Sequence, residues 1–337
     1  MNKKFLIFGI IALVLIIGGF IFVKNSGLKN EKITNPTKIS LALDWLPYAM
    51  HAGLYVAKER GYFTDEGLDV DIHAPADAAT ILQTVAQGRD NFGLNYEPDT
   101  LLARSEGLPV VSIAALTQHP LYALMSLQTS GLTRPKDLKG KKIGYSGVPL
   151  ESLLIDTILK NDGVTNGIKD VQFTNVGYDA LTGLLAGQLD AASAYYTNQP
   201  IIAENQGYKV NIMKVVDYGV PDYYDLVIVT NEGMIKNNPD VVARFLRAVM
   251  KGYKEAAANP QEAIKLMKQA SPELDTTVAN KEILLEKSLW FGDNGVFGWQ
   301  EESKWLSFAQ WMKDGGLLTK PVDARQAFTN SFIESLK

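Results

Sequence analysis

The 337-residue chain contains no cysteine and only three histidines. The absence of cysteine excludes disulfides, thiol catalysis and zinc sites built on cysteine. His73 and His119 lack metal-ligand spacing to another histidine or to a cluster of carboxylates, so we interpret both as structural. A net charge of −4, from 33 basic and 37 acidic residues, does not indicate a nucleic-acid partner.

The chain also lacks the short motifs of common active sites. It has no Gly-x-Ser-x-Gly elbow, no His-Glu-x-x-His pair and no phosphate loop ending in Gly-Lys-Ser. We therefore predict no catalytic residue, no metal and no cofactor, and the protein is not expected to be an enzyme.

One apolar run, residues 5–23, is long enough to span a bilayer, and it follows Lys3 and Lys4. It exceeds the apolar core of a cleavable signal, and no small-x-small cleavage site follows it. Residues 1–26 are therefore predicted to be a retained membrane anchor, with a cleaved export signal as the alternative. Residues 27–38 are polar and predict a tether. About 300 residues remain, enough for two domains.

Short β-rich runs alternate with helical patterns from residue 39 onward, which is typical of βαβ units and a mostly parallel sheet. Residues 80–96 and 179–195 share one order: a helix, a glycine, an Asn or Asp, and a strand ending in an aromatic residue. Each glycine is expected to end its helix in a left-handed turn. The repetition predicts two similar lobes that face a shared cleft. Beyond Asn237 the pattern is helical, with Pro239 and Pro260 at first turns.

Four stretches, in this order, resemble a known family. They are DWLPYAMHAGLYVAKERGYFTDEGLDV, EGLPVVSIAALTQHPLYALMSL, GLTRPKDLKGKKIGYSG and YGVPDYYDLVIVTNEGMIKNNPDVVARFLRA. The chain is similar to the extracytoplasmic substrate-binding proteins of ABC importers, in the superfamily of the thiamine-pyrimidine synthases and formylaminopyrimidine-binding proteins. The resemblance extends from residue 39 to the carboxyl end.

This resemblance implies an α/β, type II periplasmic-binding-protein fold with two lobes around a ligand cleft, beside the N-terminal membrane helix. Lobe 1 would comprise residues 39–125 and 230–337, and lobe 2 residues 126–229. The implied function is capture of a thiamine pyrimidine precursor, of the formylaminopyrimidine or hydroxymethylpyrimidine type, at the extracytoplasmic face of the membrane. The implied partners are this small heterocyclic ligand and the permease and ATPase subunits of the importer.

Departures from the family pattern bear on the alternatives. Asn95 and Asp99 stand where the synthases have a lysine and a histidine, and GVPDYY replaces their cysteine-rich run, so a synthase is disfavoured. Pro149 interrupts the phosphate loop, which disfavours a phosphorylated ligand. Tyr48 replaces the usual asparagine of the bacterial binding proteins, so riboflavin or another heterocycle stays open. Sulfonates are disfavoured, because YSGVPLE, NYEPD and AYYTNQ contain no Lys or Arg.

The candidate ligand residues each carry a second interpretation. Trp45 offers a flat ring for stacking or belongs to the core, and Tyr55 is interpreted as core. His51 binds ligand, caps the following helix or simply packs. Glu97 pairs with the amino group and ring nitrogen of an aminopyrimidine or is a solvated loop acid.

Tyr96 from one lobe and Tyr195 or Tyr196 from the other would line opposite walls, with one of the latter two pointing away. Asp222 and Tyr223 close the pocket or support the hinge. The predicted ligand-binding set is Trp45, Tyr48, His51, Asn95, Tyr96, Glu97, Tyr145, Ser146, Gly147, Glu151, Tyr195, Tyr196, Asp222 and Tyr223.

Overall fold

A computed structural model describes residues 35–336. The predicted anchor, residues 1–26, and most of the predicted tether lie outside the described residues. The chain divides into two units, Met1–Pro36 and Thr37–Lys337, and every described element belongs to the second. None of the helices in the described part of the chain is both long and apolar enough to cross a membrane.

Ten strands form two five-stranded sheets. The first sheet has the order β2-β1-β3-β10-β4, and the second has the order β7-β6-β8-β5-β9. The strands are β1 (Thr37–Ala42), β2 (Leu68–His73), β3 (Phe92–Tyr96), β4 (Val110–Ala115), β5 (Tyr122–Leu127), β6 (Lys142–Tyr145), β7 (Gln172–Asn175), β8 (Ala191–Tyr195), β9 (Val210–Lys214) and β10 (Leu226–Asn231).

Each sheet contains one strand that runs against its neighbours. β10 is antiparallel to β3 and β4, and β5 is antiparallel to β8 and β9. The other pairs, β1 with β2 and β3, and β6 with β7 and β8, are parallel. The chain therefore enters the second sheet at β5 and returns to the first at β10. The assignment of residues 39–125 and 230–337 to one lobe and 126–229 to the other stays a prediction.

The helices cover the sheets and fill the carboxyl-terminal part of the chain. They are α1 (Ala52–Glu59), α2 (Tyr62–Asp65), α3 (Ile81–Ala86), α4 (Glu97–Ser105), α5 (Pro149–Asn161), α6 (Ala180–Leu185), α7 (Gln199–Asn205), α8 (Glu232–Asn237), α9 (Pro239–Ala258), α10 (Pro260–Ala270), α11 (Thr276–Glu286), α12 (Glu302–Asp314) and α13 (Ser331–Glu334). Pro239 and Pro260 begin α9 and α10. The first N–H groups of a helix have no partner within the helix, so the missing N–H of proline costs no hydrogen bond there.

Two glycines end the helices that lead into β3 and β8. Gly88 and Gly187 both have φ of 71°, the left-handed conformation in which a side chain is strained. The expectation from the repeated sequence pattern is therefore met at both positions. β3 and β8 each follow such a turn, and each ends in a tyrosine, Tyr96 in β3 and Tyr195 in β8.

The apolar core has two large parts. One lies between the first sheet and α1, α9 and α10, where Phe92 and Phe245 stack with ring centroids 3.9 Å apart. The other contains residues from both sheets together with α5 and α12, including the fully buried Trp305. The sheets and their helices thus form one continuous body within Thr37–Lys337.

Candidate functional site

Asp44 lies just beyond β1 and is almost completely buried. His51 Nε2 lies 2.7 Å from its Oδ1, and the hydroxyls of Tyr48 and Tyr96 donate to its Oδ2 at 3.2 and 3.0 Å. One carboxylate therefore holds side chains from the loop after β1 and from the end of β3. Asp44 is not in the predicted ligand-binding set, although it is the first residue of the opening stretch that carries the family resemblance.

His51 is fully buried at the end of a short 3-10 turn, Ala49–His51. Its Nδ1 accepts the Tyr48 backbone N–H at 3.4 Å, so the proton resides on Nε2 and is donated to Asp44. The Tyr48 ring packs edge-on against the imidazole, with centroids 4.4 Å apart. Both ring nitrogens are engaged within the protein, and the imidazole makes no capping hydrogen bond to the following helix α1, so these contacts match the packed interpretation of His51.

The second sheet contributes Tyr195, at the end of β8. The Tyr195 hydroxyl lies near the Tyr96 hydroxyl, so the two sheets approach each other at these side chains. Burial raises the pKa of Tyr48, Tyr96 and Tyr195 well above the usual range, which keeps all three hydroxyls neutral. The neighbouring Tyr196 instead lies under the Lys214 ammonium, 3.9 Å from its ring centroid, and burial raises its pKa to about 12.

Trp45 is 45% exposed, so the interpretation of this residue as core is wrong. Its ring lies 5.1 Å from that of Tyr178, which is 79% exposed. Tyr178 follows β7 of the second sheet, whereas Trp45 follows β1 of the first. An exposed aromatic pair therefore joins loops of the two sheets.

Glu97 is the first residue of α4 and is completely buried, so its interpretation as a solvated loop acid is wrong. Oε2 accepts the Tyr224 backbone N–H at 2.7 Å, whereas Oε1 has no hydrogen-bond partner among the described residues. Burial raises the pKa of Glu97 to about 8. The preceding Asn95 shapes the strand end, because its Oδ1 accepts the Tyr96 N–H at 2.8 Å.

Residues just before β10 fix the segment by which the chain returns to the first sheet. Asp222 binds Lys304 Nζ at 2.6 Å and His119 Nδ1 at 3.0 Å. Burial opposes ionisation of Asp222, but these two hydrogen bonds outweigh it and lower the pKa. Tyr223 is buried and stacks on Phe308 at 4.2 Å. These contacts match the hinge-support interpretation of Asp222 and Tyr223, and they give His119 a structural partner.

Four of the predicted ligand residues lie close together where β6 ends and α5 begins. The backbone N–H and hydroxyl of Ser146 both donate to Glu151 Oε2 at 2.7 Å. Gly147 has φ of 94°, where a side chain would be strained and would overlap Asn175. Tyr145 stacks on Phe173 at 3.8 Å. The Ser146 donors are thus used within the loop.

Three further buried carboxylates were missed by the sequence analysis. Asp225 accepts the Leu121 N–H at 2.8 Å, and burial raises its pKa to about 7. Glu282 and Glu286 lie one turn apart on α11, and both are buried. The Asn198 amide, from the loop after β8, donates to Glu282.

Several of these groups lie close enough together to interact electrostatically. The charges of Asp44, Glu286 and Asp225 all act on the Tyr48 hydroxyl, and Tyr195 does so as well. We call Asp44, Tyr48, Tyr96, Tyr195, Asp225 and Glu286 the acidic tyrosine cluster. No group of three or more His, Asp or Glu suited to a metal ion occurs in residues 35–336. The cluster can bind a flat ligand that presents N–H donors.

Comparison with known proteins shows which proteins the chain is similar to. A family model described as "NMT1/THI5 like" matches residues 48–263. The formylaminopyrimidine-binding protein of Halalkalibacterium halodurans is 35% identical over 299 residues, covering 87% of this chain and 89% of that relative. The riboflavin-binding protein RibY of Chloroflexus aurantiacus is 29% identical, covering 88% of this chain and 86% of the relative.

Among solved structures, the periplasmic aliphatic sulphonate binding protein SsuA of Escherichia coli has a TM-score of 0.67 at 15% sequence identity. The match covers 87% of this chain and 92% of SsuA. The fold is therefore the two-sheet α/β fold of periplasmic binding proteins, as the sequence predicted.

Proposed function

Because the chain belongs to the NMT1/THI5-like family, we propose that it is the solute-binding component of an ABC importer for a thiamine pyrimidine precursor. The ligand would be of the formylaminopyrimidine or hydroxymethylpyrimidine type. The name of the 35% identical Halalkalibacterium relative supports this ligand class.

The observation that carries the proposal is the acidic tyrosine cluster. Within residues 35–336, its carboxylates are acceptors without a Lys or Arg hydrogen-bonded to them, and its tyrosine rings provide apolar faces. An aminopyrimidine complements both features, because it is flat and presents amino N–H donors. Trp45, Tyr96, Glu97 and Tyr195 are the residues of the predicted set that we propose to contact it.

Riboflavin binding, synthase activity and sulfonate binding are less favoured than binding of an aminopyrimidine. Riboflavin is the second candidate, supported by the 29% identical RibY relative. A synthase is less favoured, because Asn95 and Asp99 replace the lysine and histidine that the family resemblance assigns to such enzymes. A sulfonate needs cationic or N–H donors, and the buried carboxylates of the cluster would repel it.

The proposed setting is the extracytoplasmic face of the cell membrane. Residues 1–26 would anchor the protein there, with export after cleavage as the alternative. The permease and ATPase subunits of the importer would be the partners, and the two predicted lobes would deliver ligand by opening.

Identification of the bound molecule tests the proposal directly. Native mass spectrometry of the Thr37–Lys337 unit, as isolated from cells, is expected to show a co-purified aminopyrimidine. Calorimetry should then show tighter binding of formylaminopyrimidine than of riboflavin. Tight binding of riboflavin alone would establish the second candidate, and binding of neither would contradict the proposal.

The role of Glu97 is tested in the same assay. Glu97→Gln replaces one acceptor oxygen with a donor, which leaves a ligand N–H unpaired and costs about 1–3 kcal/mol. The affinity for formylaminopyrimidine should fall roughly ten- to hundredfold. Glu204→Gln, an exposed carboxylate on α7, is the matched control. Equal affinity of Glu97→Gln and the wild type would remove Glu97 from the site.

A further inference from the structure

Glu286 is a buried carboxylate whose two oxygens both lack a partner. It is the last residue of α11 and is 1% exposed. The Thr197 hydroxyl faces it and lowers its pKa, yet no donor in the described part of the chain reaches hydrogen-bond geometry with Oε1 or Oε2. Its neighbour Glu282, one turn earlier, is instead bound by the Asn198 amide.

The described residues around Glu286 add negative charge, and none of them forms an ion pair with it. α11 packs against the 3-10 turn Ala49–His51, which precedes α1, and against α7, which follows β8 of the second sheet. Burial raises the pKa of Glu286 well above its usual range, and Glu282, Asp225 and Asp44 add to the effect. A carboxylate in such a place is neutral, or it is matched by a cation from outside the protein.

Two lysines whose contacts lie beside residues of this region are engaged elsewhere. Lys304 Nζ binds Asp222 at 2.6 Å and donates to the Gln118 carbonyl at 2.8 Å. The Lys214 ammonium lies over the Tyr196 ring. With no donor bound to it among residues 35–336, an ionised Glu286 is matched when a ligand brings N–H donors or positive charge to it.

We infer that Glu286 is a ligand-binding residue that pairs, through both oxygens, with the amino group and the adjacent protonated ring nitrogen of an aminopyrimidine. This inference rests on the proposed function and names the edge of the ligand that is recognised. Two free oxygens match two parallel N–H donors, which is the geometry of a bidentate pair. Glu97 has only one free oxygen, because Tyr224 holds the other.

Calorimetry on the full-length chain in mild detergent tests this assignment with two ligands. One is formylaminopyrimidine, and the other is its analogue with hydrogen in place of the ring amino group. Glu286→Gln should bind the first ligand ten- to hundredfold more weakly than the wild type and should bind the second equally well. Glu286→Asp, which keeps the charge, should recover part of the affinity. Glu273→Gln, an exposed carboxylate just before α11, is the control that retains wild-type affinity.

A spectroscopic signature separates pairing from a structural effect. In ¹⁵N NMR of labelled formylaminopyrimidine, the bound ring nitrogen should be protonated on the wild type and neutral on Glu286→Gln. If the wild type binds formylaminopyrimidine and Glu286→Gln binds it with equal affinity, the inference is overturned and the proposed function stands. Absence of wild-type binding overturns both. If Glu286→Gln does not fold, a neutral ring nitrogen on the wild type overturns the inference alone.

Discussion

At the scale of single residues, Asp44 accepts hydrogen bonds from three side chains at the carboxyl ends of β1 and β3. The His51 imidazole and the hydroxyls of Tyr48 and Tyr96 all converge on this carboxylate. In Asp44→Asn the amide nitrogen has to replace one of the two acceptor oxygens, so at least one hydroxyl loses its partner. Hydrogen bonds to charged groups contribute about 1.5–3 kcal/mol, so we expect the free energy of unfolding to fall by about 2 kcal/mol.

Urea unfolding measures this change, and Asp71→Asn is its control. Asp71 lies on the exposed face of β2, so its amide should leave stability within about 0.5 kcal/mol of the wild type. If both variants unfold at the same urea concentration, the hydrogen bonds to Asp44 do not stabilise the protein as described.

The sequence singles out some of these residues and passes over others for a physical reason. Tyr96 and Tyr195 were predictable, because an aromatic residue at the end of a buried strand must lie at the sheet edge. Asp44 was not, because one acid after a strand has no periodicity, and its role depends on Tyr96, far away in the chain. Glu97 was identified, but its burial depends on the packing of the Tyr223–Tyr224 segment.

At the scale of elements, the alternation of strands and helices and the glycines that end α3 and α6 were legible in the sequence. Helix α11 was not identified. A helix normally turns its apolar residues inward. In α11, Glu282 and Glu286 are buried, whereas Leu284 and Leu285 are 47% and 46% exposed. Such an inversion of the usual pattern is expected where function, not stability, determines the residues.

The crossing of α1 and α9 permits a prediction about packing. A Cβ atom on Gly252 of α9 would overlap the carbonyl oxygen of Gly53 in α1, and backbone cannot yield as a side chain does. Helix propensity favours alanine over glycine by about 1 kcal/mol. Overpacking costs about 1–3 kcal/mol, and here the contact is with backbone. We therefore expect Gly252→Ala to destabilise the protein in thermal unfolding.

The matched control is Lys254→Ala, on the exposed face of the same helix. It also introduces an alanine but meets no neighbour, so its melting temperature should be unchanged within a few degrees. A Gly252→Ala variant at least as stable as the wild type would show that the two helices are not in close contact.

At the scale of the whole molecule, buried carboxylates outside the ion pairs predict the pH dependence of stability. Burial raises the pKa of Glu97 to about 8, of Asp225 to about 7 and of Asp99 to about 6. Between pH 4 and 8 the unfolded chain has released these protons while the folded protein retains them. Stability therefore falls as the pH rises through this range. Below about pH 4, protonation of ion-paired acids such as Asp222, whose pKa is lowered, removes stability instead.

Melting temperatures of the ligand-free protein should thus be highest near pH 5 and lower at pH 8. Glu97→Gln removes one group with a raised pKa, so its decline between pH 5 and 8 should be shallower than that of the wild type. A melting temperature that rises steadily from pH 5 to 8 would contradict the burial of these acids.

Ligand-driven closure is the last prediction at this scale. Three contacts join the sheets on either side of the acidic tyrosine cluster: Trp45 with Tyr178, Tyr96 with Tyr195, and Glu282 with Asn198.

The chain passes between the sheets at β5 and β10, and two such connections permit a hinge motion. Without ligand, closure has to desolvate Asp44, Asp225 and Glu286 or make some of them take up a proton, so an open form should be favoured, and a donor-bearing ligand should favour the closed one. We expect small-angle scattering to show a smaller radius of gyration at saturating formylaminopyrimidine. Trp45 fluorescence should change in parallel in the wild type and in a Trp311→Phe control, but not in Trp45→Phe. A radius of gyration that stays the same at saturation would mean that the sheets do not move on binding.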